Sequence, residues 1–132
     1  MPAPRSGGWA IAPSEKVKGK MLRYPLGTGD FKTISGAKLN LKSLQSIPFF
    51  IFMGDKDEND SLVFADGYDD VDKNLAFELF GKTPLERWEI SQKLYREAKL
   101  NAEFKLYPNI AHKVAPEMIT DVLAFLGKYQ AK

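Results

Sequence analysis

The chain has 132 residues, 44% of them apolar and 27% charged, which suits one ordinary globular domain with room for a sizeable core. Its net charge of +2 is too small to argue for nucleic acid or an anionic membrane surface as a partner. It has no cysteine and one histidine, which rules out disulfides, Cys-based redox or metal chemistry, and a metal site built on several imidazoles of one chain. The lack of cysteine fits a reducing compartment, and a cytoplasmic location is the expectation. No apolar stretch approaches the about 20 residues that a membrane helix needs. The opening MPAPRSGGWAIAP has no apolar h-region and does not read as a secretory signal.

Residues 1–46 read as loop-rich. Pro, Gly and Lys dominate 1–20, and Pro25, Gly27, Gly29 and Gly36 break up 21–36 into turns with short extended pieces. Leu41, Leu44 and Gln45 sit at helical spacing, enough for one or two turns. The stretch Ile47 to Gly54 is different in kind. Its near-continuous apolar run, rich in aromatic residues, predicts a strand buried on both faces of a sheet, with Pro48 near its start. Four acidic residues, Asp55, Asp57, Glu58 and Asp60, then follow on the loop at its C-terminal end, where open α/β sheets build their sites.

A helix fits 70–80, capped by Asp69, with Val71, Leu75, Ala76, Leu79 and Phe80 on one face and Gly81 as its stop. Thr83, Pro84 and Glu86 form a capping-box signature for the next helix, whose packed stripe is Leu85, Trp88, Ser91, Tyr95 and Ala98. Residues 102–107, AEFKLY, alternate and predict a strand with Phe104 and Leu106 on the drier face. His112 lies in the loop beyond Pro108-Asn109. Pro116 opens a last helix running to about Tyr129, with Met118, Val122, Phe125, Leu126 and Tyr129 inward. The order strand–helix–strand–helix from residue 47 predicts α/β architecture, with parallel strands and the helix at 83–99 as a right-handed crossover.

Three features bear on chemistry. Asp57 and His112 each follow a strand, so parallel strands would bring both loops to one sheet edge, where the carboxylate can hold the imidazole in one tautomer. Asp60 is the reserve acid. A lone histidine is commonly a surface or core-edge residue, and an acidic run is commonly a solvated loop; position at two adjacent strand ends is what lifts the pair. Second, Asp55, Asp57 and Asn59 match the first, third and fifth positions of an EF-hand calcium loop, with Asp66 at the twelfth. The sixth position is Asp60 where the turn needs glycine, and the twelfth is normally glutamate. Third, no G-x-S-x-G occurs; Ser6 lies in the loop-rich start and Ser35-Gly36 has no strand leading into it, so neither suits a nucleophile elbow.

Taken together, FFIFMGDKD at 49–57, FKLYPNIAH at 104–112 and the final amphipathic helix resemble the C-terminal half of the α/β-hydrolase superfamily. The resemblance extends from about Gly7 to Tyr129, with SGGWAIAP similar to the loop leaving that family's sixth strand, and its flavour is that of bacterial esterases and polyester depolymerases. It implies a single partial α/β-hydrolase domain over 1–132, with a cap-like insert at 61–82 and the Trp88 helix shaping or covering the site. It also implies hydrolysis of a small ester-like substrate by a Ser-His-Asp mechanism with no cofactor, His112 as base and Asp57 as acid. The nucleophile elbow and oxyanion-hole loop of that family have no counterpart here, so the chain is expected to be inactive alone. A missing N-terminal half, or self-association, through an exposed flank of the 49–53 strand is the partner expectation. The rival readings are a non-catalytic binding module, with calcium at Asp55–Asp66, and a fragment without function of its own.

Overall fold

A computed structural model describes residues 3–6, 12–64 and 67–130. Among them are a three-stranded parallel sheet, a small two-stranded ribbon and five helices, a mixed α and β architecture of the kind the strand–helix–strand–helix order predicts. The sheet has the order β1 (Ala3–Ser6), β4 (Phe49–Gly54), β5 (Ala102–Tyr107). The ribbon pairs β2 (Lys16–Val17) with β3 (Lys20–Met21). The helices are α1 (Phe31–Ser35), α2 (Leu41–Gln45), α3 (Asp70–Phe80), α4 (Pro84–Glu97) and α5 (Pro116–Gly127).

The apolar run becomes the central strand because it has partners on both sides and a helix on each face. Phe50 and Phe52 pack with Tyr107, Met118 and Phe125 on the α5 side. Ile51 and Met53 pack with Trp88, Tyr95 and Phe104 on the α4 side, and Trp88 meets Phe104 edge-on at 5.2 Å between ring centroids. Strand alternation thus feeds two separate cores from one strand. A third core lies beneath the loop-rich segment, where Leu22, Leu26 and Leu62 pack on Ala76, Leu79 and Phe80 of α3.

Several expectations are corrected. Residues 3–6 form a strand rather than a loop, because Ala3 to Ser6 pair in parallel with Phe49 to Phe52. The expected unpaired flank of 49–53 is therefore covered, and the sheet edges are β1 and β5. Ala3 donates its N–H to Pro48 O at 2.9 Å, so residues 3 and 5 turn their main chain towards β4 while residues 4 and 6 turn theirs outward. Pro4 has no N–H to offer there, which makes β1 a poor template for a further strand. On α3, Val71 is exposed and Asp72 is buried in its place, paired with Arg23 at 3.1 Å. On β5, Leu106 is exposed and Tyr107 buried, because the strand sits at the sheet edge and α5 covers its C-terminal end. Leu85 is also exposed, and Tyr129 packs on Phe125 while staying largely in solvent. The capping box of α4 forms in full: Thr83 Oγ1 accepts from the Glu86 N–H, and Glu86 accepts from the Thr83 N–H.

Helix α5 is tied to β5 through Asp121. Its carboxylate accepts from Lys105 Nζ at 2.5 Å and from the Tyr107 hydroxyl. Lys105 first, then Tyr107, holds the Asp121 carboxyl below the usual aspartate range. Burial first, with Asp121 beside it, pushes the Tyr107 hydroxyl up. A depressed carboxylate adds stability above its unfolded pKa and loses it as pH falls through the folded one. Asp121→Asn is therefore expected to lower stability at neutral pH, with the difference from wild type shrinking as pH falls below the usual aspartate range, as read by urea unfolding.

The two site-bearing loops meet at Gly54. A Cβ there would lie 1.9 Å from Ile110 O, so only glycine lets the chain after β5 pass this close to the end of β4. Gly54→Ala is expected to cost about 3 kcal/mol or more, since a clash with backbone exceeds ordinary overpacking. Denaturant unfolding checks it; a loss under about 1 kcal/mol would mean the loops separate easily.

Candidate functional site

The parallel register Gly54↔Tyr107 ends β4 and β5 at the same level, so the loops that follow leave from one sheet edge. They are then stitched together. Asp55 N–H donates to Tyr107 O at 2.9 Å, Lys56 N–H to Ile110 O at 2.9 Å, and Asp55 Oδ1 accepts from the Asn109 N–H at 2.6 Å. Asn109 makes the turn with a φ of 58°, in the left-handed region that asparagine tolerates better than most residues.

On this frame Asp57 and His112 meet. His112 Nδ1 lies 3.1 Å from both carboxylate oxygens of Asp57. The Asp57 side chain is 11% exposed and the imidazole 68%, so the acid is set into the loop and the base faces outward. Asp57 Oδ1 also accepts from the Asn59 N–H at 3.0 Å, which closes a tight Asx turn. His112 Nε2 lies 3.2 Å from Asn59 Nδ2. An ionised carboxylate only accepts, so in the neutral ring Nδ1 carries the proton and Nε2 presents its lone pair. This is the tautomer a general base needs.

Asp60, the reserve acid, is not near the imidazole. It is 6% exposed and pairs with Arg87 Nη2 at 2.6 Å. Arg87 is itself buried, donates Nη1 to Gly81 O at 3.1 Å and stacks over the Phe77 ring at 5.9 Å. The pair pins the loop after β4 to the first half of α4 and so holds the stretch that carries Asp57. The sequence signal for the cation is its position: residue 87 adjoins Trp88 and precedes Ser91 by one turn on the buried side of α4, where a long cation is accommodated only if an acid meets it; which acid does so is set by the fold.

The carboxylates of the acidic loop face three different ways: Asp55 to the Asn109 amide, Asp57 to His112, Asp60 to Arg87. The calcium pattern at 55–60 therefore does not converge on one point, because each side chain is taken by a partner its own loop could not supply. Among the described residues no three acidic or histidine side chains gather around a common centre. Asp66 lies outside the described residues. A cleft of about 430 Å³ is lined by Asp57, Glu58, Val63, Lys82 and Leu85 among others. The insert and the start of α4 thus border the site, whereas Trp88 is buried against Phe104 and does not reach it. Ser6 ends β1 level with Phe52, two residues short of Gly54 on the neighbouring strand. Its backbone therefore terminates at the edge that carries Asp57 and His112.

Comparison with family models, with curated proteins and with solved structures returns no match for this chain. Among the described residues no helix is long and apolar enough to cross a membrane.

The separation of roles between the two acids is testable. Asp60→Asn leaves Arg87 buried without its counter-charge, and breaking such a pair typically costs about 3–5 kcal/mol. We expect that loss in urea unfolding, with the ring ¹⁵N shifts of the remaining folded protein unchanged. Asp57→Asn is expected to cost far less stability and to move the neutral imidazole towards the Nε2–H tautomer. Equal stability losses from the two changes would contradict this division.

Proposed function

We propose that this chain carries the acid and the base of a Ser-His-Asp ester hydrolase, with the nucleophile supplied from outside it. The observation that carries the reading is the Asp57–His112 pair: an inset carboxylate on Nδ1 of an exposed imidazole, and both residues on loops leaving one edge of a parallel sheet. The resemblance of GDKD at 54–57 and YPNIAH at 107–112 to the C-terminal half of α/β-hydrolases supports the same assignment. In this mechanism His112 Nε2 takes the proton of the attacking hydroxyl and later delivers it to the leaving alcohol. Asp57 orients the ring and stabilises it while it is charged. The substrate class is a small ester or related acyl compound, and the cleft beside Asp57 is the nearest concavity for part of it.

The chain has no G-x-S-x-G, and its parallel sheet supplies no strand-to-helix elbow with a serine among the described residues. The purified chain is therefore expected to hydrolyse p-nitrophenyl acetate no faster than free imidazole, and a fluorophosphonate probe should leave its mass unchanged. The decisive test lies in the coding DNA 5′ to Met1. An in-frame segment with the elbow pattern is expected, and the joined product should hydrolyse p-nitrophenyl esters. His112→Ala should then cost on the order of 10⁶-fold in kcat and Asp57→Ala on the order of 10⁴-fold, as in a well-studied serine protease. A joined product with no esterase activity would overturn the reading. Labelling of the chain alone, lost in Ser6→Ala, would place the nucleophile at the end of β1 instead.

A further inference from the structure

Both ring nitrogens of His112 are held by the same short loop. Asp57 takes Nδ1 at 3.1 Å, and Asn59, two residues on, reaches Nε2 at 3.2 Å through its side-chain Nδ2. The spacing of the two grips is set by the Asx turn, in which the Asn59 N–H donates to Asp57 Oδ1 at 3.0 Å. An amide nitrogen donates and cannot accept, so the Asn59 contact is compatible only with an Nε2 that keeps its lone pair. Acid and amide thus select the same neutral tautomer from opposite sides of the ring. The acid is inset and the amide and imidazole are exposed, so the two grips differ in permanence. A neutral hydrogen bond in contact with water exchanges readily, whereas one to a desolvated carboxylate is held more firmly.

We propose that Asn59 is a positioning residue that caps the basic nitrogen of His112. Its amide occupies the place in which a nucleophile's hydroxyl must donate to Nε2. The imidazole is thereby kept in its working orientation and tautomer while no hydroxyl is present, and an incoming hydroxyl displaces the amide. The consequence for catalysis rests on the hydrolase reading; the cap itself does not.

The single histidine makes the cap measurable in the intact chain. Diethyl pyrocarbonate acylates the unprotonated ring nitrogen, which in the neutral ring held by Asp57 is Nε2. Asn59→Ala is expected to react roughly two- to tenfold faster than wild type, the factor for releasing one neutral hydrogen bond of ordinary net strength. Its ring ¹⁵N shifts should still report the Nδ1–H tautomer, because Asp57 remains, and its unfolding midpoint should be unchanged. In the wild-type chain a nuclear Overhauser contact between the Asn59 Nδ2 protons and the His112 ring is expected, and this needs no variant. An unchanged acylation rate in Asn59→Ala, or the absence of that contact, overturns the proposal. Failure of the hydrolase reading would show instead as an inactive joined product with the acylation difference intact.

Discussion

Gly54 is where the two halves of the site come within touching distance, and the arrangement of residues 55–60 and 107–112 follows from that approach. Without a side chain at 54, the carbonyl of Ile110 can pass where a Cβ would stand. The close passage lets Asp55 and Lys56 bond across to Tyr107 and Ile110, and lets Asp55 grip the Asn109 amide. Two loops that are 55 residues apart in sequence then behave as one frame, and Asp57 and His112 are held on it rather than meeting by chance. Rigid backbone support of this kind is what keeps an acid–base pair within hydrogen-bond reach.

The frame has a second anchor in the buried pair of Asp60 with Arg87. Burying two charges is costly, and their mutual attraction with an added backbone bond offsets much of that cost. What the pair contributes beyond stability is direction: it draws the acidic loop down onto α4 and leaves Asp57 as the carboxylate facing the histidine. The four acidic residues that look alike along the chain are therefore distinguished by their partners. One locks the turn, one holds the histidine, one anchors a helix, and Glu58 lines the cleft.

The sheet that carries the frame is small, and its β1 edge is blunted. Pro4 presents no donor outward, which disfavours pairing along β1. The exposed Ile119 and Leu123 lie on the flank of α5 opposite Asp121, the residue tied to β5. They make that flank the more apolar part of the helix surface.

What the sequence by itself determined was local. The apolar run at 49–53, short and rich in aromatic residues, reads as a doubly covered strand, since no amphipathic pattern offers it a wet face. Asp69, Thr83 and Glu86 marked helix starts because capping chemistry acts within one turn. The strand-end positions of Asp57 and His112 were legible for the same reason: order along the chain and parallel pairing settle which edge they share. What only the tertiary structure decided depended on partners distant in sequence. Ala3 to Ser6 is too short and too rich in proline to announce a strand, and becomes one because β4 offers it a register. Asp60 was indistinguishable from Asp57 until Arg87 claimed it, and Tyr107 exchanged places with Leu106 once α5 and Asp121 supplied a buried hydroxyl with an acceptor. Asn59 stood out only as a position of the calcium pattern; its contact with the imidazole exists because the turn at Asp57 carries its amide across to a ring 53 residues away.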